Sequence, residues 1–135
     1  MAGMATEHPQ PTYVITDSKS AVALFGPELA GLPYEELHVA LLDAEMRLLK
    51  RTTIPGSNSS VALPIRALMT EALALDARCL VIAHNHPFGD PTPSQADKAV
   101  TRHLAEIAGA LEIRLVDHLV FAGDRCASFR EMGLL

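Results

Sequence analysis

The feature that most constrains this chain is an apolar run, Cys79 to Ala83, that leads directly into the triplet His84-Asn85-His86. A continuous apolar run of this length is typical of a β-strand covered on both faces. Turn-forming residues follow from Pro87 to Pro93, and Ser94 then opens a helical pattern. The sequence therefore predicts a buried strand that ends on two histidines, close to the first turn of a helix.

The spacing of these polar residues indicates a metal site. His84 and His86 are two residues apart, so on an extended strand their side chains project to the same face. Asp97 falls on the first turn of the next helix and can close on them. Two nitrogen ligands and one carboxylate oxygen, with a fourth position open to water, form the ligand set of a catalytic zinc site.

The full pattern is His-x-His, seven residues, then Ser-x-x-Asp. It resembles the signature of the JAMM (MPN-plus, JAB) metalloproteases, and the longer motif HNHPxGDPxPSxxD is similar to that of the RadC branch of the family. The resemblance implies that His84, His86 and Asp97 bind zinc. It also implies that Ser94 helps to position an oxyanion and that an upstream glutamate is the general base.

The resemblance covers nearly the whole chain from about Leu32, with two departures. Longer RadC relatives carry an N-terminal helix-hairpin-helix segment associated with DNA, and this chain has only a short helix there. The family's Pro-Arg-Glu is replaced by Pro64-Ile65-Arg66-Ala67, which keeps an arginine and loses the glutamate. The first departure weakens any DNA-repair role inferred from the family name.

Two glutamates compete for the role of general base. Glu35 and Glu36 are neighbours at the start of a predicted strand, so their side chains point to opposite faces and only one can face the metal. Counting back from Asp43, where the family also shows a Leu-Asp strand end, selects Glu35. The structural alternative is that both are solvated residues at a loop-strand junction.

Two other polar positions have structural alternatives. Ser-x-x-Asp is also a helix-capping pattern, with Ser94 as the N-cap, and this role is compatible with the catalytic one. His118 follows Asp117 where the family shows an Asp-His pair. It is interpreted either as part of a carboxylate-imidazole pair behind the metal or as a buried structural hydrogen bond.

The periodicity predicts an α/β fold with a mixed β-sheet flanked by helices. The resemblance implies an MPN/JAB domain of cytidine-deaminase-like arrangement over residues 13–135, after a disordered tail at residues 1–12. The first helix, from Asp17 or Ser18, is expected to break or bend at Gly26-Pro27, and Leu73 to face inward on a helix at 65–75. The predicted strands cover residues 35–43, 47–54, 77–83 and 113–122, with a helix at 94–111 and a short closing strand at 125–129.

Composition narrows the functional classes. With 11 Lys and Arg against 16 Asp and Glu, the net charge is -5, which argues against strong nucleic-acid binding. Two cysteines, Cys79 and Cys126, do not form a disulfide framework. No apolar run reaches transmembrane length and the N-terminus lacks a secretory signal, which favours a cytoplasmic protein without membrane contact.

The leading hypothesis is a zinc-dependent metallopeptidase or isopeptidase that acts on a protein or peptide. The resemblance implies that the amide bond follows a ubiquitin-like C-terminus. The second hypothesis is a metal-binding interaction module without turnover that associates with DNA-repair or DNA-processing proteins. A metal-dependent nuclease is the third, and the negative charge argues against it. The physiological substrate and the oligomeric state stay open.

Overall fold

The computed structural model of this protein describes residues 13–56 and 63–135. Its helices are α1 (Ser18–Leu29), α2 (Ile65–Ala74) and α3 (Gln95–Ala110), and its strands are β1 (Glu36–Leu42), β2 (Leu48–Pro55), β3 (Cys79–Asn85), β4 (Arg114–Ala122) and β5 (Arg125–Ser128). The strands form one sheet in the order β2-β1-β3-β4-β5. The predicted α/β class with a mixed sheet is confirmed. The tail predicted at residues 1–12 lies outside the described residues.

The sheet is mixed because β3 and β4 are parallel, whereas the other neighbouring strands are antiparallel. Parallel neighbours need a long crossover, and α3 provides it between β3 and β4. All seven residues of β3 are buried, as the continuous apolar run predicts. Among the helices in the described ranges, none is both long and apolar enough to cross a membrane.

Helices cover both faces of the sheet. Helices α2 and α3 pack on one face, where Leu68 and Leu104 join the side chain of Ile82 in a buried cluster. Helix α1 packs on the other face, where Phe25 and Leu29 are buried. Alternate residues of β3 therefore belong to two separate cores, and the histidines face the side of α2 and α3.

The first helix is not broken where the sequence analysis expected. Pro27 lies inside α1, which continues to Leu29. A proline removes one backbone donor and crowds the preceding turn. The burial of Phe25 and Leu29, both 0% exposed, favours the helix across this position.

Two details of the region around α2 also differ from prediction. Leu73 is 54% exposed, because it lies about 100° around the helix from Ala72 and outside the buried stripe. The strand predicted at 77–83 begins only at Cys79 and continues through Asn85. Asp76 has a φ of 54° and the Ala77 amide donates to the Ala72 carbonyl, so residues just before β3 terminate α2 instead.

Candidate metal centre

The register of the sheet brings the histidines together at the carboxyl end of β3. Leu37 of β1 lies opposite His84, and Ile82 of β3 is paired with His118 of β4. These side chains consequently share the face covered by α2 and α3. His86 follows the strand, and its amide donates to the carbonyl of Phe121 at 2.7 Å, which extends the pairing to β4.

Three ligand atoms converge at this point. His84 Nε2 is 3.1 Å from His86 Nε2 and 3.4 Å from Asp97 Oδ1, and His86 Nε2 is 3.2 Å from Asp97 Oδ2. Two nitrogen or oxygen ligands of a tetrahedral zinc ion lie about 3.3 Å apart. The spacing of the donor atoms and their chemistry therefore fit a zinc ion, and the three residues form a group that could hold a metal ion.

The start of α3 fixes the carboxylate of this group. Ser94 Oγ accepts a hydrogen bond from the Asp97 amide at 2.9 Å, and the Ser94 amide donates to Asp97 Oδ2 at 2.9 Å. This is the capping box expected from the sequence. The bond uses a lone pair of the Ser94 hydroxyl, so its hydrogen is left for another acceptor.

The same contacts control the charge of Asp97. Its partial burial acts to raise the pKa of Asp97, but the hydrogen bond and charge of His84 and the bonds from Ser94 lower it more. The resulting pKa lies well below the usual value of an aspartate. The carboxylate is consequently ionised at neutral pH, as a metal ligand must be.

The two glutamates lie on opposite sides of the sheet. Glu36 Oε1 accepts from His38 Nε2 at 2.8 Å, on the α1 side. Glu35 shares its face with Leu37 and lines the cavity that contains the histidines and Asp97. The structure therefore brings Glu35, and not Glu36, to the side of the candidate metal ligands.

Asn85 fastens the segment that carries Glu35. Its Nδ2 donates to the Tyr34 carbonyl at 2.8 Å and to the Leu32 carbonyl at 3.3 Å, and its Oδ1 accepts from the Glu36 amide at 2.9 Å. The amide thus holds the backbone on both sides of Glu35. This role of Asn85 was not predicted from the sequence, although a buried asparagine between two candidate ligands needs hydrogen-bond partners and is a signal for it.

His118 contacts the candidate site, but its side chain does not pair with the carboxylate of Asp117. His118 Nε2 is 2.7 Å from His84 Nδ1, and His118 Nδ1 is 2.7 Å from Thr101 Oγ1. The carboxylate of Asp117 instead accepts from Ser128 Oγ and backbone amides. Of the two interpretations of His118, the carboxylate-imidazole pair is not formed, because the side chains of adjacent residues of β4 face opposite sides of the sheet. The other interpretation, a buried structural hydrogen bond, is confirmed.

The ligand group opens into a cavity of about 460 Å³. Glu35 and Ser94 line it together with His84, His86 and Asp97. Phe88, in the turn after the second histidine, also lines it and is 90% exposed. The remaining walls are apolar except for His118 and comprise Leu37, Leu63, Ile82, Pro87, Ala96, Val100 and His118. The cavity can therefore receive a largely apolar chain segment beside the polar group.

Comparison with known proteins shows relatives over most of the chain. UPF0758 protein YfjY of Escherichia coli K12 is 40% identical over 109 residues, which cover 80% of this chain and 68% of that protein. UPF0758 protein YeeS of the same organism is 35% identical over 127 residues, covering 93% and 86%. The chain spans only 53% of a UPF0758 protein of Roseiflexus castenholzii, at 37% identity over 90% of this chain.

The names of these relatives state no reaction. The family match is nevertheless extensive and includes every residue of the candidate metal centre, because the RadC-like JAB domain matches residues 15–134. That match covers the whole sheet and all three helices. The chain belongs to the RadC-like JAB domain family.

Proposed function

We propose that this chain is a zinc-dependent metallopeptidase or isopeptidase that hydrolyses an amide bond with an activated water. The observation that carries the proposal is the convergence of His84 Nε2, His86 Nε2 and the Asp97 carboxylate at tetrahedral spacing. A zinc ion held by these three residues would lower the pKa of a bound water from about 15.7 to roughly 7 and would polarise the scissile carbonyl.

Glu35 is the proposed general base. It lines the same cavity as the three ligands, and a carboxylate at this position can take the proton of the water. The same group then returns the proton to the leaving amine. Asn85 supports this role because it fixes the backbone on both sides of Glu35.

Ser94 is the proposed donor to the oxyanion that forms on the substrate carbonyl. Its hydroxyl accepts from the Asp97 amide, and the remaining hydrogen is free for a bond to substrate. A donor that acts only on developing charge stabilises the transition state more than the bound substrate. Ser94 would thus serve the helix and the reaction at the same time.

The proposed substrate is a protein or peptide. The resemblance to the JAMM proteases favours an isopeptide bond, or a peptide bond after a ubiquitin-like C-terminus. The apolar walls of the cavity suit a chain segment better than a small charged metabolite. A cytoplasmic location stays part of this proposal.

The test compares the parent chain with His84→Ala. Metal analysis of the parent loaded with zinc is expected to give about one zinc ion per chain, and a library of peptide and isopeptide substrates should contain one that it cleaves. His84→Ala should lose most of the zinc and all cleavage. Full zinc occupancy in the variant would refute the site. Zinc without cleavage by the parent would favour the interaction module.

A further inference from the structure

We propose that Thr101 and His118 are positioning residues that fix the tautomer and orientation of His84 and so set the affinity for the metal. The inference rests on the proposed metal site. It goes beyond that site because neither residue belongs to the ligand group. It follows from the direction of three consecutive hydrogen bonds.

The donor and acceptor of each hydrogen bond can be assigned by starting from a backbone carbonyl. Thr101 Oγ1 is 2.6 Å from the carbonyl oxygen of Asp97, which can only accept. Two oxygens at this distance need a hydrogen between them, so the single hydroxyl hydrogen of Thr101 points at Asp97. The hydroxyl must then accept in its other contact, and His118 Nδ1, 2.7 Å away, must carry a hydrogen.

The next hydrogen bond in the series joins His118 to the candidate metal ligand His84. A neutral imidazole has one N–H and one lone pair, so a hydrogen on Nδ1 of His118 leaves Nε2 as an acceptor. His84 Nδ1, at 2.7 Å, donates to it. His84 therefore presents the lone pair of Nε2 to the metal centre, which is the form that can bind zinc.

The opposite direction would block the site. If the Thr101 hydroxyl donated to His118 Nδ1, the hydrogen of His118 would lie on Nε2 and point at His84. The hydrogen of His84 would then lie on Nε2 and occupy the position of the metal. The orientation of the Thr101 hydroxyl hydrogen in α3 thus decides whether His84 Nε2 on β3 can bind the metal.

Burial shields this series of hydrogen bonds from bulk solvent. Thr101 and His118 are 1% and 2% exposed, so water cannot readily replace either partner. The His118 ring stacks on Phe129 with 4.5 Å between ring centroids and 14° between planes. The series of hydrogen bonds also links two candidate ligands, because it runs from His84 to Thr101 and Thr101 donates to the backbone carbonyl of Asp97.

The test replaces Thr101 with residues of similar size. Thr101→Val removes the hydroxyl at nearly constant volume, whereas Thr101→Ser keeps it. Zinc affinity is measured by competition with a chromophoric chelator. Loss of such a supporting bond typically weakens metal binding about 10- to 100-fold, so we expect this loss for Thr101→Val and an affinity within about threefold of the parent for Thr101→Ser.

A measurement on the metal-free parent does not depend on any variant. Nitrogen-15 NMR of its histidine rings at mildly alkaline pH should show His84 with the hydrogen on Nδ1, and Thr101→Val should show a mixture of tautomers. A hydrogen on Nε2 of His84 in the parent, or equal zinc affinity in the parent and Thr101→Val, would overturn the inference. Failure of the parent to bind zinc would instead overturn the metal site itself, and this inference with it.

Discussion

Strand alternation decides which single residues of this protein face the candidate site, because successive side chains point to opposite sides of the sheet. Glu35 and Glu36 are chemically equivalent neighbours, but one lines the cavity and the other bonds His38 on the opposite side. The same substitution can therefore be made at Glu35 and at Glu36, and the two variants differ only in the side of the sheet that is changed. The same alternation explains why the imidazole of His118 does not pair with the carboxylate of Asp117.

We predict that Glu35→Gln abolishes hydrolysis while zinc stays bound, and that Glu36→Gln is nearly silent. Removal of a general base typically costs about 100- to 10,000-fold in rate. The glutamine at position 36 can still accept from His38 through its amide oxygen. Rates are measured on a substrate cleaved by the parent, with zinc content determined in parallel. Parental rates in both variants would exclude the glutamate-base mechanism.

Ser94→Ala separates the two proposed functions of one hydroxyl. Loss of the N-cap should lower the free energy of unfolding by about 1 kcal/mol. Loss of the oxyanion donor should lower the hydrolytic rate by about 100- to 1000-fold, with zinc retained. Ser94→Thr keeps the hydroxyl and serves as the control in urea unfolding and rate measurements. If only stability falls in Ser94→Ala, the residue is a cap and nothing more.

The ligand group could be predicted from the sequence because its members lie close together in the chain. Two histidines on one strand and an aspartate in the next helical turn have a geometry that local structure alone dictates. The bonds of Asn85 to Tyr34 and of His118 to Thr101 could not be predicted in this way. They join residues of different elements, so they depend on the register between β1, β3 and β4 and on where α3 packs.

At the level of elements, the segment before β1 is held from two directions. Asn85 bonds its backbone from β3, and the amide of Gly56, after β2, donates to the Glu35 carbonyl at 3.1 Å. A Cβ at position 56 would lie only 2.7 Å from that carbonyl oxygen. Glycine is therefore required there by the close approach of two backbones.

Gly56→Ala should displace Glu35 without touching the metal ligands. A backbone atom must move, so we expect a destabilisation of about 1 to 3 kcal/mol and a reduced hydrolytic rate at unchanged zinc content. Gly31→Ala is the control, because a Cβ there meets no heavy atom within 4 Å. Urea unfolding, metal analysis and kinetics on both variants give the comparison. An unchanged rate in Gly56→Ala would show that this contact does not position the base.

Element types were easier to predict than their ends. The periodicity of apolar residues indicates the helices and the buried strands β1, β3 and β4, because burial on the sheet imposes that periodicity. Of the break or bend expected at Gly26-Pro27, the break is wrong, and so is the inward position expected for Leu73. Both depend on how a whole helix lies on the sheet, and local propensity does not contain that information.

For the molecule as a whole, net charge argues against a direct role on DNA. At a net charge of -5, the chain lacks the excess of cations that displaces counterions from a duplex. We predict that this chain alone does not bind duplex DNA tightly at physiological salt. Fluorescence anisotropy with a labelled duplex tests this across a range of salt concentrations. Sub-micromolar binding that weakens steeply with salt would contradict the prediction.

Metal binding should also stabilise the fold, because the ligands come from β3, the segment after it and α3. A ligand that binds only the native state adds about 2.7 kcal/mol to the free energy of unfolding at 100 times its Kd. For a chain of this size the midpoint of thermal unfolding should rise by roughly 10 °C. We expect this rise when zinc is added to the chelator-treated parent.

Two histidine variants decide whether that stabilisation comes from the proposed centre. His84→Ala should show little or no zinc-dependent rise, since it removes one of three ligands. His103→Ala changes an exposed histidine of α3 outside the ligand group and should keep the full rise. Thermal unfolding is followed by circular dichroism with and without zinc. An equal rise in both variants would mean that zinc stabilises the protein from elsewhere, and the three-ligand centre would have to be abandoned.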